Sequence, residues 1–256
     1  MHYSMPISQR LKKLIKSLHH KQFRDQNALF IAEGEKLAEE LVNSEYYTEL
    51  VVVKDSPNSN VVDLVDKFVD TGVAIYTAPK HQFDQICDAK SPQNIIAVVS
   101  KQEMEIDTNK PVIVLDGISD PGNLGTIIRT ADWFGYDQII LGPECADCYN
   151  PKAIRSTMGS IFKTSIVREN NIKHFISENL KDHLFYGASV NSKTNIEKIK
   201  PKSDKYGIIF GSESHGISDE LSDLVDEEFI IGGKGNAESL NVAVAAGITL
   251  FNFSKV

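Results

Sequence analysis

Cysteine is scarce in this chain, with three in 256 residues, too few for a disulfide framework, and the scarcity fits a reducing compartment. No stretch approaches the roughly 18 continuous apolar residues of a membrane span. The opening segment turns basic where a secretory leader needs its apolar run, so a cytoplasmic location is expected and export is not. Internal repeats and low-complexity tracts are missing as well. What remains is ordinary: 41% apolar and 24% charged residues describe a folded globular chain, long enough to bury a core without a disulfide or metal staple.

Positive charge is also in short supply. With 27 Lys and Arg against 35 Asp and Glu the net charge is −8, which by itself argues against a nucleic-acid partner. Its distribution argues otherwise. Between Gln9 and Gln26 stand Arg10, Lys12, Lys13, Lys16, Lys21 and Arg24 with one acid, Asp25. The spacing of Leu11, Leu14, Ile15 and Leu18 predicts a helix over Gln9–Lys21 with one apolar stripe and basic flanks. A solvated helix face and an RNA-facing one explain that pattern equally well.

Up to about Lys101, short β-like runs (28–32, 50–53, 73–76, 95–99) alternate with helical segments (34–43, 61–70, 80–88). The stretch Lys101–Pro111 is polar and aperiodic, which predicts a domain boundary and two domains, 1–103 and 110–256. Beyond it a second α/β series begins, with apolar runs at 112–115, 138–141, 185–188, 207–210 and 228–231 and helices at 124–134, 172–180, 219–225 and 240–253. Such continuous apolar strands predict a parallel sheet covered on both faces, with ligands at the carboxyl ends of its strands.

Three glycine-bearing loops follow strands of this series: Asp116–Gly125, Gly211–Ser218 and Gly232–Asn241. One such loop is usually a turn; three at equivalent strand ends, each carrying Asn, Ser or Glu, point to a single site. The first has the Gly117/Gly122 spacing of a phosphate-binding P-loop, but Asn123 and Leu124 replace the required Lys and Ser/Thr. The order Gly117, Gly122, Gly125 also misses the dinucleotide fingerprint. Arg129 lies off the apolar stripe of the following helix and leans toward the loop, where it is either a surface cation or a functional one. The last helix is apolar all round over Val242–Phe251 and must be covered by its own domain or a partner subunit. Glu238, Ser239 and Asn241 open it; Ser239 reads as an N-cap or as a ligand-facing group. The pair Cys145 and Cys148 lacks further ligands at metal spacing, and no metal is expected.

In this order, the segments Leu115–Gly135, Ile208–Ser218 and Ile231–Gly247 resemble the three motifs of the SpoU/TrmH family of RNA 2′-O-ribose methyltransferases. The segment Asn150–Lys163 is similar to the family's as well, and Phe30–Glu40 after the basic helix looks like the start of the RNA-binding domain that many members carry. The resemblance implies a mostly parallel α/β domain with a deep trefoil knot, preceded by a smaller αβα RNA-binding domain, and a homodimer joined through the C-terminal domain. It implies S-adenosylmethionine as cofactor, held at Gly211, Ile231 and Leu240 with Glu213, Ser239 and Asn241 beside them. It assigns catalysis to Arg129 with Asn123, Glu213, Ser239 and Asn241, and it brings Arg155 and Arg129 into an RNA-facing set with Arg10, Lys12, Lys13, Lys16, Lys21 and Arg24. Gly232–Gly233 stand where the family commonly has Pro-Met, and Ser214 where glycine is common.

Three functions compete on these residues. Methyl transfer to the ribose 2′-hydroxyl of structured RNA, rRNA before tRNA, stands first. A non-catalytic RNA-binding protein that keeps the knotted dimer is the alternative, against which the intact polar set Asn123, Arg129, Glu213, Ser239 and Asn241 argues. A dinucleotide-dependent oxidoreductase is third and lacks its glycine fingerprint.

Overall fold

Two sheets, each in its own compact unit, take up the strands. The structure, a computed structural model, describes residues 4–88 and 93–255. Its first half runs β1 (Ser4–Pro6), α1 (Gln9–Ser17), α2 (Lys21–Asn27), β2 (Leu29–Glu33), α3 (Glu35–Val42), β3 (Thr48–Lys54), α4 (Ser59–Asp70), β4 (Ala74–Ala78), α5 (Lys80–Asp84) and β5 (Ile95–Ser100). The second half follows with β6 (Val112–Leu115), α6 (Pro121–Trp133), β7 (Gln138–Leu141), α7 (Pro151–Thr157), β8 (Ser165–Arg168), α8 (Ile172–Asn179), β9 (Leu184–Ala188), β10 (Tyr206–Phe210), α9 (Asp219–Ser222), β11 (Glu227–Phe229) and α10 (Val242–Phe253).

The first unit comprises Met1–Gln102 and Asp147–Phe162. Its sheet has the order β1-β4-β3-β5-β2, with β5 antiparallel to both neighbours. Ser8 caps α1 by accepting from the Leu11 N–H at 3.2 Å, and Ile15 and Leu18 are fully buried beneath it. The helix predicted over Gln9–Lys21 ends at Ser17, and a second one starts at Lys21. Arg24 of α2 turns inward and donates to the carbonyls of Leu18 and His19, both at 2.9 Å, which the end of α1 leaves without helical partners.

Residues 147–162, predicted as part of the C-terminal domain, pack into the first unit. The reason is aromatic burial: the Phe30 ring lies 4.7 Å from Tyr149 and 6.4 Å from Phe162, and Tyr46 lies 5.3 Å from Phe162. Sequence periodicity sees only local spacing, and these contacts are far apart along the chain.

The second unit holds a six-stranded, wholly parallel sheet in the order β11-β9-β10-β6-β7-β8. Every residue of β6, β7 and β10 is buried, as a sheet covered on both faces requires. The chain builds outward from β6 through β7 to β8, then crosses to β9, and the strand order reverses beside β6 and β10. Such a reversal opens a crevice at the carboxyl ends. The predicted helices 80–88 and 219–225 are shorter than expected, ending at Asp84 and Ser222. The edge strand β8 escapes the sequence pattern, because only Ile166 and Val167 of it are apolar and it is not fully buried.

Candidate functional site

Backbone and side-chain bonds bring the first two loops together at the carboxyl ends of β6 and β10. The Asp116 N–H donates to the Phe210 carbonyl at 2.9 Å, and Asp116 Oδ2 accepts from the Ser218 N–H at 2.8 Å. Inside the second loop Ser212 and Gly216 exchange backbone bonds at 2.9 Å. The turn is so close that a Cβ at Gly211 would fall 1.9 Å from the Gly216 carbonyl carbon. Only glycine fits there.

The N-terminus of α6 follows from its sequence. Asp120 caps it, accepting from the Asn123 N–H at 2.9 Å, and Pro121 occupies the first turn. Asn123 Nδ2 then donates to Glu213 Oε1 at 2.7 Å. Asn241 Nδ2 donates to the same oxygen at 3.0 Å and to Asn123 Oδ1 at 3.1 Å, while Asn241 Oδ1 accepts from the Ala243 N–H at 3.0 Å and caps α10. One side chain from each loop therefore meets at a single carboxylate. The capping role that the sequence offered to Ser239 belongs to Asn241.

Helices α6 and α10 lie side by side, with the Phe134 and Phe251 rings 6.0 Å apart and Gly247 facing Thr130. Their N-termini share the Asn123/Asn241 end, so the positive ends of two helix dipoles converge on the site. Arg129 is exposed on α6, about 9 Å of helix rise beyond Asn123. Cα–Cβ bonds of an α-helix tilt toward its N-terminus, which here is that end. Among the described residues Arg129 is not bonded to the carboxylate cluster. Ser239 and Leu240 lie on the loop 232–241, which is exposed throughout most of its length, and neither is bonded to the cluster. Ile231 and Gly211 are half-buried at the roots of their loops. A Cβ at Gly232 would meet the Asn195 amide nitrogen at 2.9 Å, so that amide fills the space a proline would need.

The loop after β7 contributes residues that motif reading misses. Cys145 Sγ accepts from the Ile118 N–H at 3.3 Å and donates to the Leu115 carbonyl at 3.1 Å, buttressing the first glycine loop. Burial pushes its thiol pKa up, so it stays protonated. Arg168 holds the same loop through the carbonyls of Gly142, Cys145 and Ala146 at 2.8, 3.0 and 2.6 Å. Neither role has a local sequence signature, whereas the Asp-Pro pair at 120–121 is a helix-start signal.

The cations predicted to face RNA separate into two groups. Arg10, Lys13 and Lys16 are exposed on α1. Lys12 is half-buried and donates to Gln82 at 3.0 Å, and Lys21 pairs with Asp25 at 2.9 Å. Arg24 is a correction. It is 2% exposed and bound to Asp147 at 2.6 Å, with its remaining donors on carbonyls, so it has no surface to offer a phosphate. Arg155 pairs with Asp88 at 2.8 Å and stays partly exposed.

The SpoU rRNA Methylase family matches residues 110–251 and the MRM3-like substrate binding domain matches residues 9–97. A curated relative, the 23S rRNA (guanosine(2553)-2′-O)-methyltransferase RlmP of Bacillus subtilis, is 34% identical over 237 residues, 93% of each chain. The AdoMet-bound rRNA methyltransferase of Sinorhizobium meliloti superposes with a TM-score of 0.84 at 27% identity, over 97% of this chain and 95% of that one. The SpoU methyltransferase AviRb of Streptomyces viridochromogenes shares the fold, with a TM-score of 0.85 at 20% identity over 96% of each chain.

Proposed function

The chain belongs to the SpoU rRNA methylase family, and from that premise we propose that its three-loop site methylates the ribose 2′-hydroxyl of a nucleotide in structured rRNA. The observation that carries this reading is the meeting of Asn123, Glu213 and Asn241 at the carboxyl ends of a parallel sheet.

The residues present suit S-adenosylmethionine. Gly211 lets the second loop close tightly on Gly216, Ile231 and Leu240 offer apolar surface, and the loop 232–241 is exposed. When bound, this cofactor supplies a methyl group on a sulfonium, a leaving group that needs no acid. Gly211, Ile231 and Leu240 would hold it, with Glu213, Ser239 and Asn241 alongside.

The chain's task is then positioning, which supplies much of the acceleration in such a displacement. Glu213 fixes the two asparagines and, through them, the starts of α6 and α10. Arg129 binds the ribose or its adjacent phosphate and stabilises the charge developing on the 2′-oxygen, as a preorganised cation does. A guanidinium is a donor without acceptor capacity, so the proton leaves to an RNA phosphate or to water.

The first unit selects the RNA, and the second, proposed as the knotted catalytic domain, forms a homodimer. Supporting the dimer, Leu240, Val244, Ile248 and Phe251 leave an apolar stripe at and along α10, and Trp133 on α6 is 82% exposed. No helix among the described residues is long and apolar enough to cross a membrane, and a cytoplasmic location, where a bacterial rRNA substrate is met, belongs to the same proposal.

Labelled-methyl transfer to purified rRNA and tRNA, followed by mapping of the modified ribose, tests the reading. Label on a ribose of rRNA is the expected result, lost in Arg129→Ala with cofactor binding retained. Absence of transfer to either pool by the parent protein would overturn it.

A further inference from the structure

Charge in the first unit is divided between two helical layers. Ile31, Leu50, Val52, Ala78, Ile96 and Val98 form one buried cluster with Ile15 and Leu18 below α1 and with Phe83 and Ile86 around α5. Because side chains alternate along strands, Phe30, Val51, Val53, Ile75, Ala97 and Val99 point to the other face, and they are buried just as completely. The helices α3 and α4 pack against these strands, and their buried Leu37, Leu41, Leu64 and Phe68 take no part in the first cluster. They cover the second face together with segment 147–162, whose Tyr149 and Phe162 rings pack on Phe30.

The two layers carry opposite charge. On α1 stand Arg10, Lys12, Lys13 and Lys16 with no acid, and α5 adds Lys80 and His81. The Lys12 ammonium donates to Gln82 Oε1 at 3.0 Å, joining the two helices into one surface. The acid of α5, Asp84, is shared between Lys80 at 2.5 Å and Lys54 at 3.7 Å, so that cluster retains a positive charge. By contrast, α3 and α4 carry Glu35, Glu39, Glu40, Asp63, Asp66 and Asp70 against two lysines, Lys36 and Lys67. Just past the end of α1, Phe23 is 40% exposed, edge-on to His20 at 6.4 Å between ring centroids.

We propose that the α1/α5 layer is the RNA-docking face of the first unit, with phosphates along Arg10, Lys13, Lys16, Lys80 and His81 and an unpaired base stacked on Phe23. The α3/α4 layer is turned away, because its carboxylates repel a polyanion. This rests on the reading of the chain as an RNA methyltransferase. Phosphates bound along a basic helix supply affinity and register, and an exposed aromatic beside them is the means by which unpaired RNA bases are held. The short α5 has no place in the RNA-facing set that the sequence suggests, since Lys80 and His81 are far from α1 along the chain.

The experiment measures binding of the full-length protein to a 23S rRNA transcript across a salt series. For Lys13→Ala/Lys16→Ala/Lys80→Ala, the slope of log K against log salt should flatten by about 0.7–0.9 for each phosphate that is no longer neutralised. Phe23→Ala should weaken binding by about tenfold at an unchanged slope, because stacking releases no counterions. Lys36→Ala/Lys67→Ala, on the acidic layer, should match the parent. An unchanged slope in the triple variant, or a flattened one in the Lys36/Lys67 variant, would overturn the assignment of the face. If the parent itself neither binds nor methylates the transcript, the methyltransferase reading fails first; if it does both while the triple variant keeps its slope, only the docking face is wrong.

Discussion

Arg24 and Asp147 form a buried ion pair across 123 residues of sequence, with the guanidinium 2% and the carboxylate 12% exposed. The guanidinium also satisfies the carbonyls of Leu18 and His19 at the end of α1. One side chain thereby fixes the break between α1 and α2 and the start of segment 147–162. Removing one partner of a buried pair leaves the other uncompensated, so Arg24→Met should destabilise the protein by about 3–5 kcal/mol. Arg24→Met/Asp147→Leu should recover part of that loss. Urea denaturation gives both values, and a single variant as stable as the parent would show that water, not Arg24, solvates Asp147.

Glu213 Oε1 accepts from both Asn123 and Asn241. Glu213→Gln keeps a carbonyl oxygen in that place, whereas Glu213→Ala keeps nothing. The Ala variant should therefore lose cofactor affinity and turnover together, and the Gln variant should retain most of the affinity. Each such solvent-accessible hydrogen bond contributes about 0.5–1.5 kcal/mol net, or roughly two- to tenfold in binding by calorimetry. Equal affinity in the Ala variant and the parent would remove Glu213 from the machinery that holds the loops.

How much of this is legible in the sequence depends on the range of the interaction. The three loops and the start of α6 are legible, because glycine turns and an Asp-Pro cap are local signals. Asn123, Glu213 and Asn241 can be named for the same reason. Their convergence on one oxygen cannot be read from spacing, since it depends on parallel pairing of β6 with β10 and on the packing of α10 against α6. Arg24 misleads because a charged residue between lysines looks like surface, and charged groups are buried only when paired. Its partner lies beyond the reach of any periodicity. Segment 147–162 misleads for a related reason: Tyr149 and Phe162 find Phe30 and Tyr46 only in three dimensions.

The uncovered stripe on α10 makes a prediction about assembly. Val244, Ile248 and Phe251 are 50%, 38% and 51% exposed on a helix whose other faces are buried in the second unit. Ile248→Asp/Trp133→Glu should leave that unit folded, because neither side chain is part of its core, and should shift the protein to monomers in sedimentation at micromolar concentration. A parent that sediments as a monomer would overturn the proposed dimer.

Burial of Tyr46 ties the stability of the first unit to alkaline pH. Burial raises its phenol pKa from 10.0 to about 12, and its hydroxyl donates to the Ile161 carbonyl at 3.4 Å among the Phe30 and Phe162 rings. The folded state thus holds the proton more tightly than the unfolded chain does. The resulting stability is complete below pH 10 and is lost as pH rises toward about 12, because the unfolded tyrosine ionises first. A shift of this size corresponds to about 2–3 kcal/mol over that window. Tyr149, in the same unit, is shifted upward by burial too, so Tyr46→Phe should flatten the decline without abolishing it. Urea midpoints between about pH 9 and 12, a range bracketing the shift, measure this directly. Parallel curves for the parent and Tyr46→Phe would mean that the phenol is already ionised or hydrated in the folded protein, and that the seam between Tyr46 and segment 147–162 is open to water.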